Sequence, residues 1–267
     1  MMCLITGGKD SPDVQDVGKE YGLVCALGAI RPDGWACRFP KTNTTILYYW
    51  SASLCEIEPL NPGNQSTYFA MHLDRPVGFL HENIYRFDVV VLNTGHHWNR
   101  GKLNANRWHM YVNGQPNDDR KLRDLQSARN LTVHSVAKWL DKQFNKYPNL
   151  RVFMRTLSPR HFFNGDWDSG GHCNNTKLLS ESHNVSHSRA RDLAVESVVR
   201  GTRVECLDIT GVSELRDESH ISKYILRSKG GSQDCLHWCL PGVPDTWNEL
   251  LFAQLLFPQP KKPAAQT

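Results

Sequence analysis

Hydrophobic and polar positions divide the chain into short elements of two kinds. Runs rich in β-branched and aromatic residues predict four buried strands, over 45–50, 88–93, 151–156 and 203–209. Apolar residues at three- and four-residue spacing predict helices over 131–147, 186–200 and 245–255. Strands that alternate with helices favour an α/β fold, with a mostly parallel sheet flanked by helices.

Residues at the ends of the predicted helices fit these bounds. Asn130 is a candidate N-cap for the first helix, Gly201 suits the position just past the second, and Asp245 is a candidate cap for the third. The proline- and lysine-rich segment 258–267 predicts a disordered tail. We therefore expect the folded domain to cover residues 1–257.

Composition narrows the class of protein. The 267 residues are 40% hydrophobic and 22% charged, which is typical of a globular chain long enough for one large α/β domain or two small ones. A net charge of only +4 argues against a nucleic-acid partner, because such proteins carry a dense basic face. Since no apolar run reaches roughly 20 residues, we expect no transmembrane segment here, and the first residues do not resemble a signal peptide.

Cysteines and glycosylation sequons indicate an oxidising compartment. The chain has eight cysteines, none in the paired spacing of a zinc site. Five Asn-x-Ser/Thr sequons begin at Asn43, Asn64, Asn130, Asn174 and Asn184. Together these features favour a glycosylated luminal protein. An intracellular protein with unmodified sequons and free thiols is the alternative.

Polar and aromatic loops follow the predicted strands. They cover residues 93–100 after the second strand, 156–167 after the third, and 234–242 beyond the fourth. Ligands of parallel sheets collect at the carboxyl ends of the strands. If these loops meet at one edge of the sheet, they build a wet cleft lined with aromatic side chains.

Asp234 and His237 are the candidate catalytic pair. A tight turn at this spacing lets the carboxylate reach one imidazole nitrogen and leaves the other free to take a proton from a serine hydroxyl. The spacing alone is a weak signal, and a surface hydrogen bond is the alternative. Two interleaved cysteines, Cys235 and Cys239, strengthen it if both are bridged. We reject a metal site there, because Cys235, His237 and Cys239 cannot easily all face one ion while His237 serves Asp234, and because no second ligand cluster has a zinc-like spacing.

Four segments together resemble one protein family. Residues 93–98, 155–162, 165–173 and 234–248 are similar to motifs of the plant trichome birefringence-like family, in the same order along the chain. That resemblance implies an SGNH-hydrolase-like fold with a smaller loop-rich lobe. It also implies a Golgi type II membrane protein that O-acetylates a cell-wall polysaccharide such as xylan. The implied machinery is a Ser-His-Asp triad in which Asp234 orients His237, the general base.

The same resemblance implies the other participants and one missing part. An acetyl carrier, acetyl-CoA or another, would be the co-substrate, with no bound cofactor or metal. The family's serine lies in a Gly-Asp-Ser motif, which the sequence lacks: Ser11 follows Lys9-Asp10, and Ser169 belongs to another block. We expect Met1 to correspond to an internal methionine of the family. The nucleophile, the membrane anchor and part of the N-terminal lobe would then be missing, and this chain alone would be inactive.

Further residues are candidates for the substrate pocket or oxyanion hole. They are Asn93, His96, His97, Trp98, Arg155, Arg160, His161, Asp166 and Trp238. Asn93 could instead satisfy loop backbone, and Arg155 could pair with Asp166 or Asp88. His96 and His97 could be one packed and one solvent-facing ring. Among the tryptophans, Trp98, Trp167 and Trp238 lie beside site motifs and could stack on sugars, although most tryptophans are core residues.

The cysteines and the type of reaction each allow more than one interpretation. Because the resembled family is luminal, we expect disulfides rather than redox chemistry, and we choose Cys173 with Cys235 because both flank proposed site loops. The alternatives to acetyl transfer are an acetyl esterase that uses the same triad, and a non-catalytic wall-polysaccharide-binding protein.

Overall fold

The computed structural model describes residues 13–24, 33–64, 66–167, 169–173, 192–220 and 233–257. The chain divides into two compact units. The first unit comprises residues 1–87 and 94–136, and the second comprises residues 88–93 and 137–267.

The described residues form strands, α-helices and short 3-10 helices. The strands are β1 Gln15–Asp16, β2 Gly34–Phe39, β3 Thr44–Tyr49, β4 Cys55–Pro59, β5 Phe69–Pro76, β6 Val89–Leu92, β7 Trp108–Val112, β8 Gln115–Pro116, β9 Arg151–Arg155 and β10 Glu205–Leu207. The α-helices are α1 Gly78–Asn83, α2 Arg100–Ala105, α3 Leu125–Gln143, α4 Leu193–Gly201, α5 Thr210–Glu214 and α6 Val243–Leu256. The 3-10 helices are Gly18–Tyr21, Pro40–Thr42, Ile84–Arg86, Arg120–Arg123 and Asp217–Ser219.

The first unit contains two sheets. Strands β1, β2 and β3 form an antiparallel sheet, and β4, β5, β7 and β8 form a mixed sheet in which only β5 and β7 run parallel. Met71 and Leu73 of β5 pack with Cys55 and Ala128 in its core. The strand predicted over 45–50 is present as β3, but it belongs to the antiparallel sheet and is only partly buried. Thr45 and Tyr48 are exposed, and the other four residues of β3 are half-buried.

The second unit contains the parallel sheet that the sequence predicts. Strands β10, β9 and β6 lie in that order, and both pairings are parallel. The three predicted strands 88–93, 151–156 and 203–209 correspond to them with slightly shorter ends. Phe153 of β9 is fully buried, and Val195 and Val198 of α4 are buried in the same unit. Runs rich in β-branched and aromatic residues were the correct signal for these strands, but the prediction that they are all buried is wrong for β6, where Val89 and Val91 are exposed.

The helices begin at residues other than the predicted caps. Helix α3 starts before the predicted residue 131: Asp124 caps it by accepting the Ser127 N–H at 2.8 Å, and Asn130 lies within it. Asp245 lies inside the first turn of α6, where its carboxylate accepts the Gly242 N–H at 2.8 Å. Helix α4 is capped by Asp192, and the predicted residues 186–191, like the tail 258–267, lie outside the described residues.

Within the described residues, no helix combines the length and apolarity that a bilayer span requires.

Candidate active site

Polar side chains lie at the carboxyl edge of the parallel sheet. Asn93 follows β6, Arg155 ends β9, and Asp208 follows β10. With its amide oxygen turned towards Arg155, Asn93 accepts hydrogen bonds from Nε at 3.1 Å and from Nη2 at 2.6 Å. Thr156 donates its hydroxyl to Asp208 at 3.0 Å. Two of the predicted pocket residues, Asn93 and Arg155, are thus brought together.

Arg155 is a half-buried cation that contacts the neutral groups of Asn93 and Trp247. Its guanidinium carbon lies 4.9 Å from the centre of the Trp247 ring. Burial lowers the pKa of Arg155 to about 10, so the group stays charged at neutral pH. The proposed ion pairs with Asp88 and Asp166 are not found within the described residues; Asp166 contacts Arg160 instead, at 3.3 Å. This arrangement can stabilise negative charge that develops beside the sheet edge.

Asp234 and His237 form the pair that their spacing predicts. One carboxylate oxygen of Asp234 lies 2.7 Å from His237 Nδ1. The other accepts the backbone N–H of His237 at 3.0 Å and that of Leu236 at 3.1 Å. Burial acts to raise the pKa of Asp234, but the hydrogen bonds outweigh it and hold the pKa below its ordinary 3.8. The carboxylate is therefore ionised at neutral pH.

His237 presents its second nitrogen to solvent. Because a carboxylate can only accept, Nδ1 carries the proton of the bond to Asp234. Nε2 is then unprotonated in the neutral ring, and it makes no hydrogen bond to any described residue. The side chain is 68% exposed. These features are those of an oriented general base that is open to a reacting group.

Three links connect residues 161–173 with the 233–239 loop, the segment that carries Asp234 and His237. Cys173 forms a disulfide with Cys235, which confirms the predicted pairing. The Cys173 N–H donates to the Gln233 side chain at 2.7 Å, and the His161 N–H donates to the Cys235 carbonyl at 3.0 Å. Cys239 is a free thiol, so the loop has one bridge and not two.

His161 and Trp238 lie within packed surroundings. His161 Nδ1 is 2.6 Å from Nε2 of His220, and burial lowers the pKa of both rings, that of His161 to about 4. The Trp238 ring lies 4.2 Å from the His220 ring and donates its N–H to Ser158 at 2.7 Å. Trp238 is only 8% exposed, which leaves little of its surface for a sugar.

Sequence reasoning did not identify His220. It is 1% exposed and meets its partners from separate segments of the chain. No local spacing or motif marks such a residue, because tertiary packing alone decides which buried histidine contacts the site.

Other predicted residues are exposed. Arg160 and Asp166 form a surface ion pair, and the neighbouring Trp167 is 60% exposed. The ring of Trp167 therefore offers a flat apolar face to solvent, as stacking on a sugar requires.

The predicted residues His96, His97 and Trp98 belong to the first unit. Trp98 donates its N–H to Thr94 at 2.8 Å and packs on the core of the mixed sheet. The His97 ring meets the Trp50 ring edge-on, with 5.8 Å between ring centres. Trp98 thus has a structural role, and substrate contact by these three residues stays a prediction.

Three of the five sequons lie in the described residues. Asn43, Asn64 and Asn130 are exposed, as a glycan requires. Asn174 and Asn184 lie outside the described residues.

Comparisons with known proteins identify the family to which the chain is similar. The sequence profile of PC-Esterase, described as a "GDSL/SGNH-like Acyl-Esterase family found in Pmr5 and Cas1p", matches residues 1–254. Protein trichome birefringence-like 14 of Arabidopsis thaliana is 55% identical over 96% of this chain and 65% of its own length. Protein trichome birefringence-like 15 of the same plant is 50% identical over 96% of this chain and 53% of its own length. The chain thus spans about half to two thirds of these relatives.

Proposed function

Because the chain belongs to the PC-Esterase family, we propose that the whole protein transfers acetyl groups to hydroxyls of a plant cell-wall polysaccharide such as xylan. The observation that carries the proposal is the Asp234–His237 pair, with an ionised carboxylate on Nδ1 and an exposed Nε2. The chain would supply these two members of a Ser-His-Asp triad. The serine is expected from a Gly-Asp-Ser segment, which the 267 residues do not contain.

The proposed reaction is a double displacement. His237 Nε2 takes the serine proton as the serine oxygen attacks the acetyl carbonyl, and it returns that proton to the departing donor. The acetyl group is then an ester of the serine. In the second half, Nε2 takes the proton of a sugar hydroxyl, whose oxygen attacks the ester carbonyl, and the serine leaves with the proton. Transfer is favoured over hydrolysis when the sugar displaces water from the cleft, so that its hydroxyl and not water attacks the ester.

Other residues are proposed to bind the reactants. Arg155, positioned by Asn93, carries a positive charge suited to an oxyanion or an anionic donor. Trp167, with the Arg160–Asp166 pair beside it, offers a stacking face and polar groups suited to sugar. The acetyl donor is a co-substrate, acetyl-CoA or another carrier.

We place the whole protein in the Golgi lumen as a type II membrane protein. The exposed sequons at Asn43, Asn64 and Asn130 support a luminal site, as does the Cys173–Cys235 disulfide. The anchor itself is an implication of the family resemblance.

The test uses a fusion protein, in which the segment of trichome birefringence-like 14 that precedes the aligned region is joined to this chain. The fusion and the chain alone are incubated with an acetyl donor and xylan oligosaccharides, and acetylated product is measured by mass spectrometry. We expect transfer by the fusion, loss of transfer in its His237→Ala variant, and none by the chain alone. Full activity of the His237→Ala fusion would contradict the triad.

The same assay separates the alternatives. The family description names acyl-esterases, so an acetyl esterase is the second candidate. It would release acetate from acetylated xylan with no donor present. A non-catalytic polysaccharide-binding protein would show saturable binding to xylan with neither transfer nor release.

A further inference from the structure

His161 and His220, here called the histidine pair, lie directly behind the proposed general base. We propose that this pair is a positioning device, which holds the backbone of the 233–239 loop so that His237 points correctly. The inference rests on the proposed role of His237. His220 is buried and takes no part in the proton transfers of the proposed reaction.

The loop is attached to the pair on both sides of the His237 side chain. His220 Nδ1 lies 2.9 Å from the His237 carbonyl oxygen, and the His161 backbone N–H donates to the Cys235 carbonyl at 3.0 Å. The Cys239 N–H also donates to the Ser219 carbonyl, beside His220, at 3.2 Å. The backbone on either side of His237 and the His237 carbonyl are therefore hydrogen-bonded to the histidine pair and to Ser219 beside it.

Counting ring protons gives the direction of the hydrogen bonds. The two outer nitrogens of the pair face carbonyl oxygens, His220 Nδ1 that of His237 and His161 Nε2 that of Glu214 at 3.2 Å. Carbonyls only accept, so each outer bond needs a ring proton, and the central contact of 2.6 Å needs a third. Two neutral imidazoles hold only two protons. A neutral pair therefore makes two of the three bonds.

Charges around the pair act in opposite directions. Burial disfavours a charged ring, and on His161 the neighbouring ring disfavours it further. The carboxylates of Asp217, Glu218 and Asp234 favour a proton on His220. The charge of Glu218 is compensated by Arg216, which lies 2.7 Å away. The pKa of each ring is still lowered overall from its ordinary 6.5. Burial therefore prevails, and the pair is neutral at neutral pH.

A neutral pair gives up the longest of its three contacts, the one to Glu214. His161 Nδ1–H then donates to His220 Nε2, and His220 Nδ1–H donates to the His237 carbonyl. These contact lengths favour one tautomer for each ring: both carry the proton on Nδ1. With the proton on Nε2 of both rings, the pair would keep the hydrogen bond to the Glu214 carbonyl and lose the one to the His237 carbonyl.

Nitrogen NMR of the ¹⁵N-histidine-labelled chain tests the tautomers at neutral pH without any activity. We expect Nδ1–H on both His161 and His220. Nε2–H on His220 would overturn the proposal, since that ring could not then donate to the His237 carbonyl. Because this measurement needs no turnover, its result is independent of whether the fusion transfers acetyl groups.

Asparagine and glutamine substitutions at position 220 distinguish a positioning role of His220 from a role in packing alone. The amide nitrogen of His220→Asn occupies the place of Nδ1 and keeps the donor to His237, whereas that of His220→Gln occupies the place of Nε2 and loses it. In the fusion, we expect His220→Gln to lower kcat by roughly ten- to a hundredfold with little change in KM, since small misplacements of a catalytic group have such effects. His220→Asn should recover most of that loss.

A matched control comes from another buried histidine. His72 is 4% exposed and contacts Glu58 through Nε2, which His72→Gln preserves. We expect its kcat to stay at the level of the unmodified fusion. Equal losses in His220→Asn and His220→Gln, or no loss in either, would overturn the positioning role.

Discussion

Asp234 performs two tasks with its two oxygens. One oxygen accepts the backbone N–H groups of Leu236 and His237, which closes the turn, and the other accepts from the His237 ring. An asparagine can keep the first task with its carbonyl oxygen. Its NH₂ group would then face Nδ1 as a donor, and the imidazole proton would move to Nε2. The turn would survive, but the ring could no longer act as a base.

We therefore predict that Asp234→Asn in the fusion lowers kcat on the order of 10³–10⁴-fold, the loss seen when a triad imidazole takes the wrong tautomer. Thermal unfolding should change little, because the turn keeps its backbone bonds. Asp119→Asn is the control: Asp119 also accepts a local backbone N–H, from Lys121, but lies outside the site. Activity of Asp234→Asn within tenfold of the parent would refute the triad assignment.

Acid stability depends on the buried histidines. The pKa of His161 is lowered from 6.5 to about 4, and that of His220 is lowered too, mainly by burial. The unfolded chain therefore binds more protons than the folded chain between these values, and stability falls as pH drops from about 6.5 to 4. Asp234, with a pKa below 3.8, adds a further loss only below that value.

The measurement is the unfolding midpoint in urea between pH 7 and 3. We predict a decline below pH 6.5 that becomes shallower in His161→Asn, which removes one titrating ring. The decline below pH 3.8 should persist in that variant, since Asp234 is unchanged. A midpoint that stays constant from pH 6.5 to 4 in the parent chain would show that the pair does not titrate as described.

Residues with local signals were the predictable part of the site. Asp234 and His237 contact each other within one turn, so their spacing carries the information. Asn93 and Arg155 were found because polar residues that end parallel strands meet at one edge. His220 carries no such signal, because its partners His161 and His237 are distant in sequence.

At the scale of elements, the apolar content of a segment decided what could be predicted. Strands β6 and β9 have apolar centres and β10 lies within the predicted run 203–209, so all three were identified. Strands β4 and β5 contain charged residues such as Glu56, Glu58 and Asp74, and pairing across the sheet, not composition, makes them strands. The start of α3 was misplaced because its cap, Asp124, lies in a charged stretch before the apolar periodicity begins.

The Cys173–Cys235 disulfide should contribute strongly to the stability of the second unit. It closes a loop between residues 62 apart, and removing such a bridge from a secreted domain typically costs about 2–5 kcal/mol. We predict a loss of this size in the free energy of unfolding for the Cys173→Ser/Cys235→Ser double variant, measured by urea denaturation. Cys37→Ser, at a free half-buried thiol, is the control. Equal stability of both variants would mean that the bridge adds nothing.

At the scale of the whole molecule, predicted site residues fall in different units. Asn93, Arg155, Asp234 and His237 belong to the second unit, whereas residues 96–98 belong to the first. A sequence motif that is continuous, such as 93–98, can therefore cross a boundary between units. Hydrophobic pattern does not reveal this division, because it depends on contacts between distant segments.

The exposed sequons make the compartment testable for the chain as a whole. Asn43, Asn64 and Asn130 are exposed, so the folded chain can carry an N-glycan at each of them. We predict that the chain, secreted from plant cells behind an added signal peptide, carries N-glycans at these positions and a Cys173–Cys235 bond. Peptide mass spectrometry before and after glycosidase treatment measures both.

Asn→Gln substitution at each of the three sequons should remove one glycan, whereas Asn113→Gln, at an asparagine outside any sequon, should remove none. The same chain produced in a reducing cytosol should contain alkylatable thiols at Cys173 and Cys235 and unfold at lower urea, because the bridge forms only under oxidising conditions. A secreted chain with no glycan at any of the three asparagines and with both thiols free would contradict the luminal assignment. In that case the intracellular alternative would take its place, while the geometry of Asp234 and His237 would stand unchanged.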